Sequence, residues 1–188
     1  MTKSHQSAVV VSPPPGDWHT IQSIRKQYDR NFRRWMPHIT LPYPFYAKEH
    51  FDEGVLRLQE ACQKTRAFDL TFSQFSSFQH GRKSFTLWLA PEPGEAVGAL
   101  QEALWKSAPD CDETRKHSEG FTPHLSVGQL RSRQEIDAVL PSLQASWEAL
   151  TVRVEKVDLI WRNDKPDDVF RVGYAIALET GEIQRVNM

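Results

Sequence analysis

The sequence predicts an α+β fold built from antiparallel sheets with helices on their outer faces, and three observations carry that reading. The β-rich runs come in neighbouring pairs, residues 68–75 with 84–89 and 152–161 with 169–178, and not in the βαβ alternation of a parallel sheet. Helical patterns separate these pairs. A short proline-histidine pattern with strand-like alternation occurs twice, at His38 and at His124, so the chain reads as a rough duplication of strand motif, helix and β-pair.

Ala8-Val9-Val10-Val11 is a β-rich run ended by Ser12-Pro13-Pro14-Pro15-Gly16, a strand feeding a stiff loop. Asp17 is placed to cap a helix carrying Ile21, Ile24, Tyr28 and Trp35 along one side at spacings of three, four and seven. Arg25, Lys26, Arg30, Arg33 and Arg34 load that segment with positive charge, either as a solvated face or as a means of drawing phosphate toward the first motif. Residues 51–65 then read as a helix with Val55, Leu58 and Cys62 on its apolar side. A hairpin follows, its two β-rich runs separated by a connection containing Gln79-His80-Gly81-Arg82-Lys83. Glu95 to Ser107 is helical through Val97, Leu100 and Leu104, and Pro109-Asp110 stops it. Arg133 to Trp147 is helical through Ile136, Leu140 and Leu143, with Pro141 beginning a new turn or a kink. In residues 152–161 the alternation changes phase near Glu155-Lys156, which predicts a bulge. The last strand alternates Phe170, Val172, Tyr174, Ile176 and Leu178.

A chain of 188 residues can bury a sizeable core as one domain or as two small lobes sharing a cleft. Apolar residues at 39% and charged residues at 25% are those of an ordinary globular protein, not a disordered one. A net charge of −1 argues against sequence-independent capture of long nucleic acid, while a few local arginines suffice for a nucleotide or an RNA end. No apolar run approaches the roughly 18 residues of a membrane span, and the polar start lacks a signal-peptide pattern, so no membrane partner is expected and the cytoplasm or nucleus is. A monomer is expected as well. Two cysteines, Cys62 and Cys111, make no disulfide framework, and no Cys-x-x-Cys or His-x-x-x-His spacing suggests a metal, so no cofactor is expected.

The repeated motif carries the chemistry. It stands as Pro37-His38-Ile39-Thr40-Leu41 and as Pro123-His124-Leu125-Ser126-Val127. On a strand, His38 and Thr40 share one face while Ile39 and Leu41 take the other, and His124 and Ser126 divide in the same way from Leu125 and Val127. Each copy thus presents one imidazole and one hydroxyl from a half-buried strand. Brought together across a cleft, two hydroxyls can donate to phosphoryl oxygens while two imidazoles move protons.

These paired His-x-Thr/Ser tetrads resemble the signature of the two-histidine (2H) phosphoesterase superfamily, in its cyclic-nucleotide phosphodiesterase and RNA-ligase-like branch. The resemblance implies a single bilobal domain over residues 1–188, two antiparallel sheets lining a central groove with one motif per lobe. It also implies metal-independent phosphoester chemistry with a 2′-phosphate product. Carried over position by position, His38 and His124 match the catalytic imidazoles, and Thr40 and Ser126 match the phosphate-binding hydroxyls. Which histidine is the base stays open.

Further substrate-contact candidates are Tyr43, Phe45 and Tyr46 after the first motif, Phe85 and Phe121 near other groove edges, and Arg131 and Arg162 at strand ends, where they could reach phosphate. Core packing or a surface position is the competing reading for each. His19, His50, His80 and His117 have no partner pattern and are assigned no chemistry. The expected function is hydrolysis of a nucleoside 2′,3′-cyclic phosphate or a cyclic-phosphate RNA end. The same groups would serve an ADP-ribose cyclic phosphate, a 2′-5′-linked oligonucleotide or a 3′-terminal oligouridylate, and a nucleotide-binding module without turnover is the alternative from another class. The small nucleotide or RNA terminus is the expected partner.

Overall fold

A computed structural model describes residues 1–116 and 120–186. Along the chain these form β1 (Lys3–Ser4), β2 (Ser7–Val11), α1 (Trp18–Tyr28), β3 (Ile39–Thr40), β4 (Phe45–Tyr46), α2 (Phe51–Gln63), β5 (Phe68–Gly81), β6 (Ser84–Glu92) and α3 (Gly94–Ser107). The second half continues with β7 (Leu125–Leu130), α4 (Arg133–Ser146), β8 (Leu150–Val154), β9 (Lys156–Trp161), β10 (Arg171–Ala177) and β11 (Ile183–Arg185). The fold is α+β and antiparallel throughout the described residues. One sheet of nine strands runs in the order β11-β10-β9-β2-β3-β7-β6-β5-β8, and a small second sheet pairs β1 with β4.

The two motif strands are neighbours at the middle of the large sheet. β3 and β7 meet through the single pair Ile39–Leu125, and this pair joins the β2-β9-β10-β11 half to the β5-β6-β8 half. Burial follows the alternation read from the sequence: Ile39, Leu41, Leu125 and Val127 are buried in the main core, while His38, Thr40, His124 and Ser126 are half-buried on the other side.

The predicted bulge near Glu155 is instead a crossing between the two halves. β8 pairs with β5 at the outer edge of one half, and β9 pairs with β2 and β10 in the interior of the other, with Glu155 alone between them. Two residue steps reach at most about 7 Å, so edge strand and interior strand meet end to end and the nine-stranded ladder has to curl back on itself. The phase change arises because Val152 and Val154 face the core from one half whereas Val157 and Leu159 face it from the other. The last pair does carry a bulge, at Val172/Tyr174 in β10.

Helix α2 lays Val55, Leu58 and Cys62 against β9 and β10, and α4 covers β5 and β6. Each such aliphatic side chain taken fully from water stabilises the fold by about 1.5–3 kcal/mol. Ser132 caps α4 by accepting from the Glu135 backbone N–H at 3.1 Å, and the Glu135 carboxylate accepts from the Arg131 N–H at 2.7 Å. The helix continues through Pro141 to Ser146 with no new turn, since proline removes only one ladder donor and the turns on either side hold. Helix α1 ends at Tyr28, so Trp35 does not extend its stripe as the spacing predicted. Asp29 stops it by turning its carboxylate onto the Asn31 backbone N–H at 2.8 Å, the short turn that aspartate favours over further helix.

Candidate active site

The Ile39–Leu125 register sets the site. In an antiparallel pair that register places His38 opposite Ser126 and Thr40 opposite His124, so the two histidines are diagonal neighbours, with backbones about 7–8 Å apart by strand geometry. All four side chains line one cavity of about 240 Å³, together with Arg25, Asp29, Asn31, Trp35, Tyr43 and Gln129.

Each imidazole is held in the same way. His38 Nδ1 lies 2.7 Å from the carbonyl of Met36 and His124 Nδ1 lies 2.8 Å from that of Thr122, in both cases two residues back along the chain. A carbonyl only accepts, so Nδ1 carries the proton and donates, which leaves Nε2 of each ring for chemistry. The ring faces are held differently. His38 stacks on Trp35 at 4.8 Å and 16°, and Trp35 stacks in turn on Phe170 at 3.7 Å. His124 instead meets the faces and edges of Phe78 (5.0 Å, 88°) and Trp88 (5.9 Å, 64°). Burial, against a smaller opposing effect of the Met36 hydrogen bond and with added repulsion from Arg25 and His124, pushes the His38 pKa down to about 4. His38 is therefore neutral at pH 7.

An ion pair forms one side of the cavity. Arg25 is 1% exposed and donates through Nη2 and Nε to one Asp29 oxygen at 2.7 and 2.9 Å, and through Nη1 to Gln22 at 2.8 Å. Helix α1 reaches this position by packing on Gly128, where any Cβ would stand 2.6 Å from the Tyr28 Cβ. A bulge in β7 opposite Leu87/Trp88 shifts the alternation there, bringing Gln129 to the cavity wall beside His124 and Ser126. The Gln129 side-chain oxygen accepts from the Arg30 N–H at 3.1 Å and ties this wall to the end of α1.

The other sequence candidates divide. Tyr43 lines the cavity and Phe121 lines a second, adjoining one. Phe45, Tyr46 and Phe85 are buried, at 0%, 1% and 2% exposure, and line neither cavity; their rings went to packing, as strand residues facing the core must. Arg131 is exposed beyond the end of β7, with its backbone engaged in the α4 cap, and lines neither cavity. Arg162 lies over the Phe170 ring at 5.6 Å. Of the five cations of residues 25–34, Arg25 alone lines the cavity among the described residues, and Arg34 pairs with Asp168 at 2.5 Å. His80, given no role from sequence, lines the second cavity and bonds Thr86 at 3.0 Å, whereas His117 lies outside the described residues. Sequence reasoning missed Asp29, Asn31, Trp35 and Gln129 as cavity residues, and it named Arg25 only as one of five cations placed to draw phosphate, without singling it out. One signal was present: Arg25 falls four residues after Ile21 and four before Asp29, on the buried side of the helix.

With this geometry in place, comparison with known proteins decides the family. The model of the 2′-5′ RNA ligase superfamily matches residues 13–166, spanning both motifs. The chain belongs to the 2′-5′ RNA ligase superfamily. Within this superfamily of 2H phosphoesterases it is 31% identical over 137 residues to a Bacillus pumilus protein named "Putative phosphoesterase", a match covering 72% of this chain and 77% of that one. A Bacillus licheniformis protein, also named as a "Putative phosphoesterase", is 29% identical over 143 residues, 76% of this chain and 81% of its own. The fold is shared with TT0787 of Thermus thermophilus (TM-score 0.63, 16% identity, 93% of this chain and 98% of that one). It is shared also with LigT of Escherichia coli (TM-score 0.60, 15% identity, both chains covered in full), a protein whose structures include complexes with phosphate, ATP and 3′-AMP. This superfamily member is thus a phosphoesterase-type enzyme by family, and no helix among its described residues is long and apolar enough to cross a membrane.

Proposed function

We propose that the protein hydrolyses 2′,3′-cyclic phosphates of nucleosides or of RNA ends to 2′-phosphates, using His38 as general base and His124 as general acid. The observation that carries this reading is the matched pair of imidazoles, each with Nδ1 bound to a carbonyl two residues back and both lining one cavity with Thr40 and Ser126. The LigT complexes with phosphate and nucleotides support the substrate class by shared fold.

Thr40 and Ser126 donate their hydroxyl protons to the two non-bridging phosphoryl oxygens and hold the phosphorus between the rings. Neutral His38 takes a proton at Nε2 from water as the water oxygen bonds to phosphorus. The bond from phosphorus to O3′ breaks on the far side, and His124, entering the step as imidazolium, gives its Nε2 proton to O3′. The product carries the phosphate on O2′, and one proton has passed from the acid while another has been gained by the base. The depressed pKa of His38 keeps the base free of its proton at rest, and the negative charge of the arriving diester draws that pKa upward toward a useful value.

Incubating the protein with each nucleoside 2′,3′-cyclic phosphate in EDTA, and separating 2′- from 3′-monophosphate, tests the reading. A 2′-monophosphate is the expected product. An unchanged cyclic phosphate, or a 3′-monophosphate, would overturn it.

A further inference from the structure

Trp35 is sandwiched. The His38 ring lies parallel to it at 4.8 Å and 16°, the Phe170 ring at 3.7 Å and 23°, and the Arg162 guanidinium lies over Phe170 in turn at 5.6 Å. Two rings this close to the indole centroid and parallel to it do not fit side by side on one face, so His38 and Phe170 take opposite faces. Trp35 therefore meets the cavity with its edge and offers no free face on which a base could stack. The pile stands on a small apolar cluster of Ala8, Val10, Ile160 and Phe170, separate from the main core, against which Trp35 and Tyr43 also pack. It is tied down beside Trp35, where the Phe170 N–H donates to the Arg34 carbonyl at 2.8 Å and the Arg34 side chain pairs with Asp168.

We infer that Trp35, backed by Phe170, is the positioning residue of His38: the indole clamps one face of the imidazole, fixes the plane in which Nε2 is presented to the cavity, and keeps water off that face. The clamp serves catalysis through the proposed role of His38 as base, and so rests on that reading. The Met36 carbonyl holds Nδ1 at a single point, about which the ring could still swing; a parallel ring across the face removes that freedom. An indole face acts on an imidazole in two opposed ways, since it excludes the water that would solvate the imidazolium while its negative face attracts a cation. For His38 burial is the larger, and its pKa lies at about 4. Arg25 from α1 and His124 from β7 act in the same direction as burial, Asp29 from α1 acts against it, and Tyr43 lines the same cavity. All of these stay in place when Trp35 alone is replaced, so a change in the His38 titration isolates the indole.

The test follows the His38 Cε1–H signal by NMR from pH 3 to 8 in the native protein, Trp35→Ala and Trp35→Phe. Trp35→Ala is expected to raise the His38 pKa by about one to two units toward the ordinary histidine value, and Trp35→Phe, which restores a ring on that face, to keep it near the native one. The acid limb of kcat/KM on adenosine 2′,3′-cyclic phosphate should move up with it in Trp35→Ala, and kcat at pH 7.5 should fall by up to about 10²-fold with KM little changed. A merely structural ring would lower activity at every pH and leave the limb where it is. An unmoved or lowered His38 pKa in Trp35→Ala would overturn the clamp. Should that variant not fold, Phe170→Ala leaves Trp35 in place and removes only its backing; it is expected to move His38 the same way by less, and an unmoved value there would overturn the clamp equally, as would a native His38 that titrates at its ordinary value. The titration needs no turnover. His38 shifting as expected in a protein that hydrolyses no cyclic phosphate would leave the clamp standing and overturn the hydrolase reading, while turnover with His38 unmoved would do the reverse.

Discussion

Ile39 and Leu125 are paired across two strands, and this register fixes which side chains face each other over the cavity. A slip of one residue in that register would turn one motif's histidine and hydroxyl into the core, because strand side chains alternate. The site therefore depends on two buried aliphatic residues that take no part in its chemistry.

Replacing either His38 or His124 with alanine is expected to lower kcat by about 10²–10⁴-fold on a nucleoside 2′,3′-cyclic phosphate, the range for loss of one general acid or base. Steady-state assays on the two single variants check this, and near-native rates in both would exclude the mechanism.

Thr40→Val and Ser126→Ala each remove a donor to a charged oxygen, an interaction worth about 1.5–3 kcal/mol. A drop in kcat/KM of roughly 10- to 100-fold is expected for each, with circular dichroism unchanged because both side chains face the cavity and not the core. Phosphate binding measured by calorimetry should weaken alongside.

The buried Arg25–Asp29 pair is expected to be costly to break from one side. Arg25→Ala strands a buried carboxylate and Asp29→Ala strands a buried guanidinium, and each should destabilise by about 3–5 kcal/mol. The double variant Arg25→Met/Asp29→Leu should lose less than the two single losses combined, because no charge is left unpaired. Urea unfolding of the three variants measures this.

The His38 pKa gives a pH dependence with a definite sign. Its folded value, about 4, lies below the ordinary histidine value, so between about pH 4 and 6.5 the unfolded chain binds the extra proton and stability rises with pH. The contribution is complete above about pH 6.5 and is lost as pH falls toward 4. His38→Gln should therefore flatten the fall in Tm between pH 7 and pH 5 relative to the native protein. An equal fall in both would contradict the burial that sets this pKa.

Much of the site was legible because the motifs write strand alternation and reactive groups into the same few residues: His38 and Thr40 outward, Ile39 and Leu41 inward. The hairpin and the helices 51–63, 94–107 and 133–146 were legible through periodicity, with ends shifted by a few residues. Trp35 was not, since its spacing from Tyr28 fits a helix that Asp29 had already ended, and only tertiary structure brings its ring to His38. For Arg25 the solvated face and the phosphate-drawing role stayed side by side, because composition cannot tell an exposed cation from one whose partner lies a turn away in a buried place. Glu155 was misread for a related reason. A break in alternation marks a change of face and does not say whether the next residues stay with the same neighbour or move to another.

Glu155 also bears on how the polypeptide could be divided. The stretch from β5 to β8 is inserted between strands that belong to the other half, so the half containing β2 and β3 is completed only when β9 returns after Glu155. A fragment cut at residue 154 would keep both imidazoles and both hydroxyls yet lose the strand against which β2 lies. Such a piece would hold every reacting group with nothing to keep the ledge beneath His38 in place, and the half built on β2 and β9 could not be excised as one uninterrupted ribbon.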